Sequence, residues 1–362
     1  MKVLIMAGGT GGHVYPGLAV AHELRARGHE VTWLGAPDSF EARTVPAQGI
    51  PLELVQVSGL RGKGLLKLLG APLLILRAIG QALAVLSRVR PDAVLGMGGF
   101  AAGPGGVAAW LKRIPLFVHE QNATAGFTNR QLAKLSRQAL QGFDGALADG
   151  ITVGNPVRAE VAALPAPALR YAARSGALNL LVVGGSQGAR ALNEKLPAAL
   201  ALLSPSERPQ VRHQGGRSVE VAEAAYAQHG VQAEVLPFIH DMAGAYAWAD
   251  LVVCRAGAST VAELASAGVA SVLVPFPFAV DDHQTANAAA LVKGGAAELI
   301  QERELSAERL AALLRGATRA GCLAQAEKAR AAAYPRATAD IVERLLAVSR
   351  LPPPVSRPGA QP

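Results

Sequence analysis

A short apolar segment runs into a glycine-rich loop at two places, about 175 residues apart in the chain. Lys2–Met6 precedes Gly8-Gly9-Thr10-Gly11-Gly12-His13, and Leu178–Val183 precedes Gly184-Gly185-Ser186-Gln187-Gly188. A helical pattern follows each loop. Strand, glycine loop and helix in this order are typical of an α/β domain with a parallel sheet, in which the loop and the helix N-terminus approach an anionic ligand. The repeat predicts two such domains.

Strand and helix patterns alternate through the rest of the chain, as in α/β proteins. The first helix is predicted to begin near Pro16, because proline favours the first helical position, and to end at Gly28. The helix after the second loop is predicted to run to about Leu203. Further strands are predicted at Val31–Leu34, Ala93–Leu95, Leu116–His119 and Leu251–Cys254.

The alternation is interrupted by the turn-forming Gly154-Asn155-Pro156 and by Pro165 and Pro167, which predicts a domain junction. We expect a first domain over residues 1–155 and a second over residues 156–350, with the last helix packing back on the first domain. The tail from 351 to 362 contains five prolines and is predicted to be disordered.

Composition restricts the class of protein. Hydrophobic residues make up 51% and charged residues 17% of the chain, as in a globular protein. Two cysteines cannot form a disulfide framework or a zinc site, which favours a reducing cytoplasm. The start MKVLIMAGG is a strand rather than a signal peptide. The net charge of +8 suits an anionic partner such as a nucleotide or a membrane surface, whereas no nucleic-acid motif is present.

The uncharged segment 93–111 has the length of a membrane span. It contains six glycines and a proline, so we interpret it as a strand, a glycine loop and the start of a helix.

The first glycine loop does not match two common nucleotide motifs. A P-loop ends in Gly-Lys-Ser/Thr, which is missing, and an NAD site has an acidic residue at the end of the second strand, where this chain has Trp33-Leu34-Gly35. The loop is therefore predicted to cover a phosphate or a sugar, with a simple tight turn as the alternative. His13 at its end is the candidate general base, since imidazole accepts a proton near neutral pH. The alternative is a histidine that only hydrogen-bonds the loop.

A second glycine-dense segment follows the strand at Ala93. Its backbone N–H groups are predicted to bind a diphosphate on the acceptor, with a mobile loop as the alternative. The glycines concerned are Gly98, Gly99, Gly103, Gly105 and Gly106.

The loop from Gly184 to Gly188 also fits G-x-S-x-G, the nucleophile-elbow pattern of serine hydrolases. In that interpretation Ser186 is the nucleophile, Asp250 or Asp281 the acid and His283 the base. We keep this as the rival from another enzyme class.

The segment from Cys254 to Glu263 joins a buried strand to a helix through small residues. Thr260 and Glu263 have the spacing of a capping box, so one interpretation is that Glu263 caps the helix and has no other role. In the alternative, the helix N-terminus faces a diphosphate and Glu263 accepts hydrogen bonds from a ribose. Asp281-Asp282-His283-Gln284 has no D-x-D motif or spaced ligand cluster, which favours contacts with sugar hydroxyls over a metal site. No cofactor is required.

The segment from Leu65 to Arg90 contains a helix that opens at Pro72, with Leu73, Leu76, Leu83 and Leu86 on a predicted core face. The preceding residues alternate Lys63 and Lys67 with leucines and could dip into an anionic bilayer surface. Trp110, Lys112 and Arg113 would extend that patch.

Eight stretches in order along the first 300 residues carry a more specific signal: GGTGGHVYPGLAVA, VSGLRGKG, GMGGFAAGPGGVAAW, HEQNATAGFTNR, VGNPVR, VVGGSQGAR, FIHDMAGAYAWADLVVCRAGASTVAEL and DDHQTANA. Together they resemble the MurG family, bacterial transferases that add N-acetylglucosamine to undecaprenyl-pyrophosphoryl-N-acetylmuramyl-pentapeptide.

The resemblance implies a GT-B glycosyltransferase with two Rossmann-like domains facing across a cleft. It implies UDP-N-acetylglucosamine on the second domain and the lipid acceptor on the first, in peptidoglycan synthesis on the cytoplasmic face of the plasma membrane, with other cell-wall synthesis proteins as further partners. His13 and the 98–106 loop would face the acceptor. The implied donor contacts are Thr10, Gly11, Gly12, Asn122, Arg158, Ser186, Ile239, Ala258, Ser259, Thr260, Val261, Ala262, Glu263 and Gln284.

Two departures from the family pattern are visible. Gly215 stands where relatives often carry Ser or Thr, and the segment from Pro275 to Gln284 is one residue longer than in some of them. The residues on either side of Gln284 match the family pattern and identify its position in it. The extra residue leaves the correspondence of Asp281 to His283 with the family unassigned. Three alternatives remain: another GT-B enzyme that uses a different acceptor, a UDP-sugar epimerase, and a non-enzymatic membrane or nucleotide-binding module.

Overall fold

The computed structural model describes residues 1–57, 71–185 and 188–348. The chain divides into two compact units. Unit 1 comprises Met1–Pro156 together with the residues from Arg336 onward, and unit 2 comprises Val157–Pro335. The Lys/Leu segment with Lys63 and Lys67, residues Ser186 and Gln187, and the tail from 351 to 362 lie outside the described residues.

Unit 1 alternates strands with helices. A 3-10 turn, Pro46–Gln48, lies before the third strand. The strands are β1 (Lys2–Ala7), β2 (Glu30–Gly35), β3 (Leu52–Leu54), β4 (Ala93–Gly98), β5 (Leu116–Glu120), β6 (Gln138–Gln141) and β7 (Ile151–Thr152). The helices are α1 (Gly11–Ala26), α2 (Phe40–Thr44), α3 (Ala71–Val89), α4 (Ala102–Leu111) and α5 (Phe127–Ala133).

The strands of unit 1 form one sheet in the order β3-β2-β1-β4-β5-β6-β7, and all its neighbours are parallel. β1 lies in the interior, with Met6 opposite Leu34 on β2 and opposite Gly96 on β4. The strand order reverses between β1 and β4. Such a switch point places a crevice at the carboxyl ends of the two strands, where open α/β sheets bind ligands.

Alternate residues of β1 enter different cores. Val3 and Ile5 pack with apolar residues of α1, whereas Leu4 and Met6 pack in a second cluster with residues of α3 and α4. The strand is therefore buried on both faces, which explains its unbroken apolar sequence.

The first helix begins at Gly11, so the prediction of a start near Pro16 is wrong. Pro16 lies inside the helix and is buried. Because proline has no N–H, the helix lacks the hydrogen bond from residue 16 to the carbonyl of Gly12. Gly28 follows the helix end with φ +80, as expected for a C-terminal glycine.

Unit 2 repeats the plan. Three 3-10 turns occur at Gly216–Ser218, Val280–Asp282 and Glu302–Glu304. The strands are β8 (Asn179–Val183), β9 (Gln210–Gln214), β10 (Glu234–Leu236), β11 (Leu251–Cys254), β12 (Ala270–Leu273) and β13 (Ala297–Leu299). The helices are α6 (Ala159–Ala162), α7 (Pro167–Tyr171), α8 (Arg190–Ala201), α9 (Val219–His229), α10 (Met242–Trp248), α11 (Ala258–Ala267), α12 (His283–Val292), α13 (Ala307–Gly316) and α14 (Arg319–Ala331).

The second sheet is also parallel throughout, in the order β10-β9-β8-β11-β12-β13. Its switch point lies between β8 and β11, where Val183 is opposite Cys254. The predicted α/β class with two parallel sheets is thus confirmed.

The last helix, α15 (Ala337–Val348), belongs to unit 1. Ile341, Val342 and Leu345 are fully buried in the same core cluster as Val14 and Leu18 of α1. The chain therefore ends its described part in the unit in which it began.

Helix α3 is only partly a core helix. Leu86 is 1% exposed, but Leu73 and Leu76 are 74% and 64% exposed, so the predicted core face is wrong for the first turns. Among the described residues, Pro72–Val89 is the one helix long and apolar enough to cross a membrane, and 22% of that window is buried.

Candidate functional site

The first glycine loop lies at the switch point of the first sheet. Gly8 and Gly9 follow β1, Thr10 precedes α1 in an extended conformation, and His13 lies in the first turn of the helix. Gly11 and Gly12, which the sequence pattern assigned to the loop, open that helix. The loop therefore presents His13 at the carboxyl edge of the sheet.

A buried carboxylate shapes this loop. Glu41 is 1% exposed, and its two oxygens accept hydrogen bonds from the N–H of Gly9 at 3.0 Å and of Ala36 at 3.1 Å. The N–H of Gly9 is thus occupied within the protein. The sequence did not identify this residue, because Glu41 lies six positions beyond β2 in a segment that reads as a surface helix.

The loop after β4 packs directly against the first loop. The N–H of Gly8 donates to the carbonyl of Gly98 at 3.2 Å. Gly98 and Gly99 have φ of +100 and +89, which favour glycine. A Cβ at Gly98 would lie 3.0 Å from the His13 ring, and one at Gly99 would overlap the backbone of Gly8. Both glycines are needed for the two loops to meet beside His13.

The other glycines of the predicted diphosphate loop lie in helix α4, which corrects that prediction. The N–H of Gly105 donates to the carbonyl of Ala101 at 3.1 Å. A Cβ at Gly105 would collide with Met6, and one at Gly106 with Leu132. These two glycines allow the helix to pack closely on its neighbours. Gly103 lies in the first turn of the same helix.

His13 is connected to the end of β5 by side-chain hydrogen bonds. Its Nδ1 lies 2.7 Å from Oε1 of Gln121. Nε2 of Gln121 lies 2.9 Å from Nδ1 of His119, whose Nε2 lies 2.9 Å from the carbonyl oxygen of Gly154. Burial lowers the pKa of His119 to about 4, against the opposing effects of the Gly154 hydrogen bond and of Glu120. His119 is therefore neutral near pH 7.

Glu120 fixes the loop that carries Asn122. The buried carboxylate accepts from the backbone N–H of Asn122 at 2.9 Å and from its Nδ2 at 3.2 Å. It also accepts from the N–H of Gly126 at 3.2 Å and from Nδ2 of Asn129 at 2.8 Å. Asn122, a predicted donor contact, is thus held half-buried beside Gln121 by a carboxylate that the sequence did not single out.

In unit 2 the glycine loop after β8 packs against the loop after β9. Gly188 has φ +80, and a Cβ there would collide with the carbonyl of Gly215. Asn193 of α8 donates to the same carbonyl at 3.0 Å. The close packing of the two loops explains why position 216 is a glycine, because a Cβ there would overlap Gly188. Ser186, in the glycine loop after β8, lies outside the described residues.

Helix α11 starts at the second switch point. Gly257 precedes it, and within the described part of the chain no side chain caps its N-terminus. The capping-box alternative for Thr260 and Glu263 is therefore wrong. Oγ of Ser259 is buried and has no hydrogen-bond partner among the described residues. Ala258, Val261 and Ala262 complete the first turns, of which Ala258 and Val261 are buried.

Glu263 lies one turn into α11 and is 7% exposed. Its carboxylate accepts from Nε of Arg158 at 2.8 Å, from Nη2 of Arg158 at 3.2 Å and from the hydroxyl of Tyr246 at 3.2 Å. Arg158 and Glu263, both predicted to touch the donor, are thus brought into direct contact. Tyr246 was not identified from the sequence, where it appears as one apolar position of a helix.

Gln284, at the start of α12, has a fixed orientation. Its Oε1 accepts from the N–H groups of Phe276 at 2.9 Å and Ala256 at 3.2 Å. Because both contacts use the oxygen, its amide nitrogen points away from them. Asp281 and Asp282 of the preceding turn have φ of +53 and +48.

Ile239, the remaining predicted donor contact of unit 2, is 7% exposed and follows the region of β10. Among the described residues no group of three or more His, Cys, Asp or Glu side chains could hold a metal ion.

The structure excludes Asp250 as the catalytic acid of the hydrolase alternative. Asp250 is fully buried, with ion pairs to Arg174 at 2.5 Å and Arg319 at 3.4 Å. It also accepts from the N–H of Asn179 at 2.9 Å. A carboxylate held in this way joins β11 to neighbouring segments and cannot orient a catalytic histidine.

Two all-parallel sheets, each with polar groups and a helix start at its switch point, are the architecture of GT-B glycosyltransferases. The models of the Glycosyltransferase family 28 N-terminal and C-terminal domains match residues 3–141 and 179–345. The chain belongs to glycosyltransferase family 28, and it is an enzyme of the glycosyl-transferring class.

Relatives and solved structures agree with this assignment. The chain is 56% identical over 344 residues to the UDP-N-acetylglucosamine--N-acetylmuramyl-(pentapeptide) pyrophosphoryl-undecaprenol N-acetylglucosamine transferase of Burkholderia lata, covering 94% of each chain. It is 54% identical over 351 residues to the protein of the same name from Marinobacter nauticus, covering 95% of this chain and 97% of that one. The crystal structure of Acinetobacter baumannii MurG matches with a TM-score of 0.84 and 42% identity, over 96% of this chain and 99% of that chain.

Proposed function

We propose that this enzyme transfers N-acetylglucosamine from UDP-N-acetylglucosamine to the C4 hydroxyl of lipid-linked N-acetylmuramyl-pentapeptide, a step of bacterial peptidoglycan synthesis. The observation that carries the proposal is the identity of 54–56% over at least 94% of the chain to relatives named for this reaction. The geometry supports it, because groups suited to both halves of a sugar transfer lie at the two switch points.

His13 is the proposed general base. It lies at the carboxyl edge of the first sheet beside Gly98 and is oriented by Gln121. Its Nε2 takes the proton of the acceptor hydroxyl as that oxygen attacks the anomeric carbon of the donor sugar. The bond between that carbon and the diphosphate oxygen breaks in the same displacement, so the configuration inverts and no covalent intermediate forms.

The leaving UDP gains negative charge, which the start of α11 is suited to stabilise. No side chain of the described residues caps this helix, so its first-turn N–H groups attract an anion. The hydroxyl of Ser259, which has no hydrogen-bond partner in the same part of the chain, adds a donor. Arg158 contributes positive charge beside them. Ser186 in the glycine loop after β8 is a further proposed contact of the diphosphate.

Glu263 is proposed to accept hydrogen bonds from the ribose hydroxyls, and Gln284 to donate from its amide nitrogen to a hydroxyl of the donor sugar. Thr10, Gly11, Gly12, Asn122, Ile239, Ala258, Thr260, Val261 and Ala262 are proposed as the remaining donor contacts. Gly98, Gly99 and the first turn of α4 at Gly103 are proposed to face the acceptor diphosphate.

We further propose a peripheral association with the cytoplasmic face of the plasma membrane, where a lipid-linked acceptor would lie. Helix α3 exposes Leu73, Leu74, Ile75 and Leu76 in its first turns. Helix α4, which packs against α3, ends in exposed Trp110 and Leu111, followed by Lys112 and Arg113. Apolar side chains next to basic ones suit an anionic bilayer surface.

The decisive experiment measures UDP release from UDP-N-acetylglucosamine with and without lipid-linked muramyl-pentapeptide. Release is expected only with the acceptor, and UDP-glucose is expected to be a poor donor. Equal release without acceptor, or equal use of UDP-glucose, would overturn the specific reaction. Loss of turnover in His13→Ala with unchanged UDP affinity is expected for the base, and near-full turnover would remove that role.

A further inference from the structure

We propose that Gln121 and His119 are positioning residues that hold neutral His13 in a single tautomer, with the proton on Nδ1 and the lone pair on Nε2. This rests on the proposed role of His13 as the general base. Hydrogen bonds connect Gly154, His119, Gln121 and His13 in that order. The donor and the acceptor of each bond can be assigned in turn, starting from Gly154, where only one assignment is chemically possible.

That end is Gly154. Nε2 of His119 lies 2.9 Å from its carbonyl oxygen, which can only accept a hydrogen bond. Nε2 of His119 therefore carries a proton. The ring is fully buried, and burial lowers its pKa to about 4, so near neutral pH it carries one proton only. Nδ1 of His119 is thus an acceptor.

Gln121 transmits this direction. Its Nε2 lies 2.9 Å from Nδ1 and 2.9 Å from the carbonyl oxygen of His119, two acceptors that both require the NH2 group. The amide can then have only one orientation. Gln121 is 1% exposed, and its backbone carbonyl accepts a hydrogen bond from Nδ2 of Asn155 at 2.9 Å. Hydrogen bonds therefore hold both the backbone and the side chain of this residue.

The remaining amide oxygen faces His13. Oε1 of Gln121 lies 2.7 Å from Nδ1 of His13, and an amide oxygen can only accept. Nδ1 of His13 therefore carries the proton, and the lone pair of the neutral ring lies on Nε2. A general base must present a lone pair, so this assignment selects the nitrogen that takes the acceptor proton.

Gly98 completes the arrangement from the other side. A Cβ there would lie 3.0 Å from Nδ1 and 3.4 Å from Nε2 of His13. The ring therefore packs against a position that has no side chain. The uncharged amide also fixes the tautomer without adding a negative charge, which would favour the protonated ring that cannot act as a base.

The test is nuclear magnetic resonance of the full-length enzyme labelled with ¹⁵N-histidine. The chain has eight histidines, and the His13 signals are assigned by their loss in His13→Gln. For the neutral His13 ring we expect a protonated Nδ1 and an unprotonated Nε2. Dominance of the Nε2–H tautomer in the wild-type enzyme would overturn the proposal, whatever the variants do.

Gln121→Met removes the three side-chain hydrogen bonds of Gln121 while keeping a similar length. We expect mixed tautomer signals for His13 and a fall in kcat of up to about 10²–10⁴-fold, the contribution of a general base. The KM for UDP-N-acetylglucosamine should not change. Gln121→Glu keeps an acceptor beside His13, so Nδ1 should stay protonated, but it loses the donor to His119 and adds a negative charge that favours the protonated ring, so kcat should also fall.

His22 provides the control, because it is an exposed histidine of the same helix. His22→Gln should change neither the His13 signals nor kcat. The results also separate this proposal from the proposed function. If the Nδ1–H tautomer is present but His13→Ala keeps turnover, the base role fails and the positioning stands. If the tautomer is wrong but His13→Ala is inactive, the positioning fails and the function stands.

Discussion

Arg158 donates two hydrogen bonds to Glu263, from Nε to Oε1 at 2.8 Å and from Nη2 to Oε2 at 3.2 Å. The hydroxyl of Tyr246 donates to the same Oε2 at 3.2 Å. Burial, followed by the neighbouring Glu263, raises the pKa of Tyr246 well above its ordinary value, so the hydroxyl keeps its proton. Three donors thus fix the orientation of a carboxylate that is proposed to bind the ribose.

Glu263→Gln is expected to weaken UDP binding by about 10- to 100-fold, the range for losing hydrogen bonds to a charged group. The amide has no negative charge for Arg158 and one acceptor oxygen instead of two. Since the ribose is remote from the reacting carbon, KM for the donor should rise more than kcat falls. Calorimetric titration with UDP and initial rates measure the two effects.

Glu160→Gln is the matched control for this prediction, because Glu160 is an exposed glutamate of α6, close to Arg158 in the chain. It should leave UDP affinity unchanged. Wild-type affinity in folded Glu263→Gln would remove the ribose role and leave the carboxylate as a link between α6 and α11.

Gly98→Ala is expected to lower kcat by about 10- to 100-fold, because a small displacement of a reacting group has effects of that order. The new Cβ would lie 3.0 Å from the His13 ring. The left-handed backbone at φ +100 adds a loss of stability of about 1–2 kcal/mol.

Gly145→Ala separates these two effects. Gly145 has φ +78, and no heavy atom of the described residues lies within 4 Å of the position that a Cβ would occupy there. The substitution should cost similar stability but leave kcat unchanged. Equal losses of kcat in the two variants would show that backbone strain, rather than contact with His13, is responsible. Thermal unfolding and steady-state rates provide the comparison.

The position of the site could be predicted from the sequence, because strand, glycine loop and helix are encoded locally. The loops after β1 and β8 lie at the two switch points, and Leu251–Cys254 has the predicted bounds. The pattern of apolar runs also predicts buried parallel strands. These features need only neighbouring residues along the chain.

The partners of the site residues could not be predicted in the same way. Gln121 is 108 positions from His13, and Glu41 is 32 positions from Gly9, so their contacts depend on tertiary packing. Gly105 and Gly106 look like part of a flexible loop because glycine usually marks one. Here they occupy a helix interior, where a side chain would collide with Met6 or Leu132.

Stability is expected to fall in mild acid because of two buried histidines. Burial lowers the pKa of His213 to about 4, and for His119, also at about 4, burial outweighs the opposing effects of Gly154 and Glu120. An unfolded histidine has a pKa of about 6.5. Between these values the unfolded chain binds protons that the folded chain does not, so the free energy of unfolding decreases as pH falls from about 6.5 to about 4.

Each histidine should contribute a loss of about 2–3 kcal/mol over that window, and none above it. Urea unfolding at pH 7, 6 and 5 measures the slope. His213→Gln should reduce the slope, although it also loses contacts with Asn193 and Tyr226. His240→Gln, at an exposed histidine, should leave it unchanged. A pH-independent free energy of unfolding in wild type between pH 7 and 5 would contradict the prediction.

The exposed leucines of α3 should contribute to vesicle binding. Leu73 and Leu76 are 74% and 64% exposed, and burying one leucine in an apolar phase is worth about 1.5–3 kcal/mol. The double variant Leu73→Gln with Leu76→Gln should therefore bind anionic phospholipid vesicles at least about tenfold more weakly. Its affinity for UDP should not change. Leu169→Gln is the control, because Leu169 is 73% exposed but lies in unit 2. If both variants sediment with vesicles as the wild type does, the first turns of α3 do not contact the bilayer.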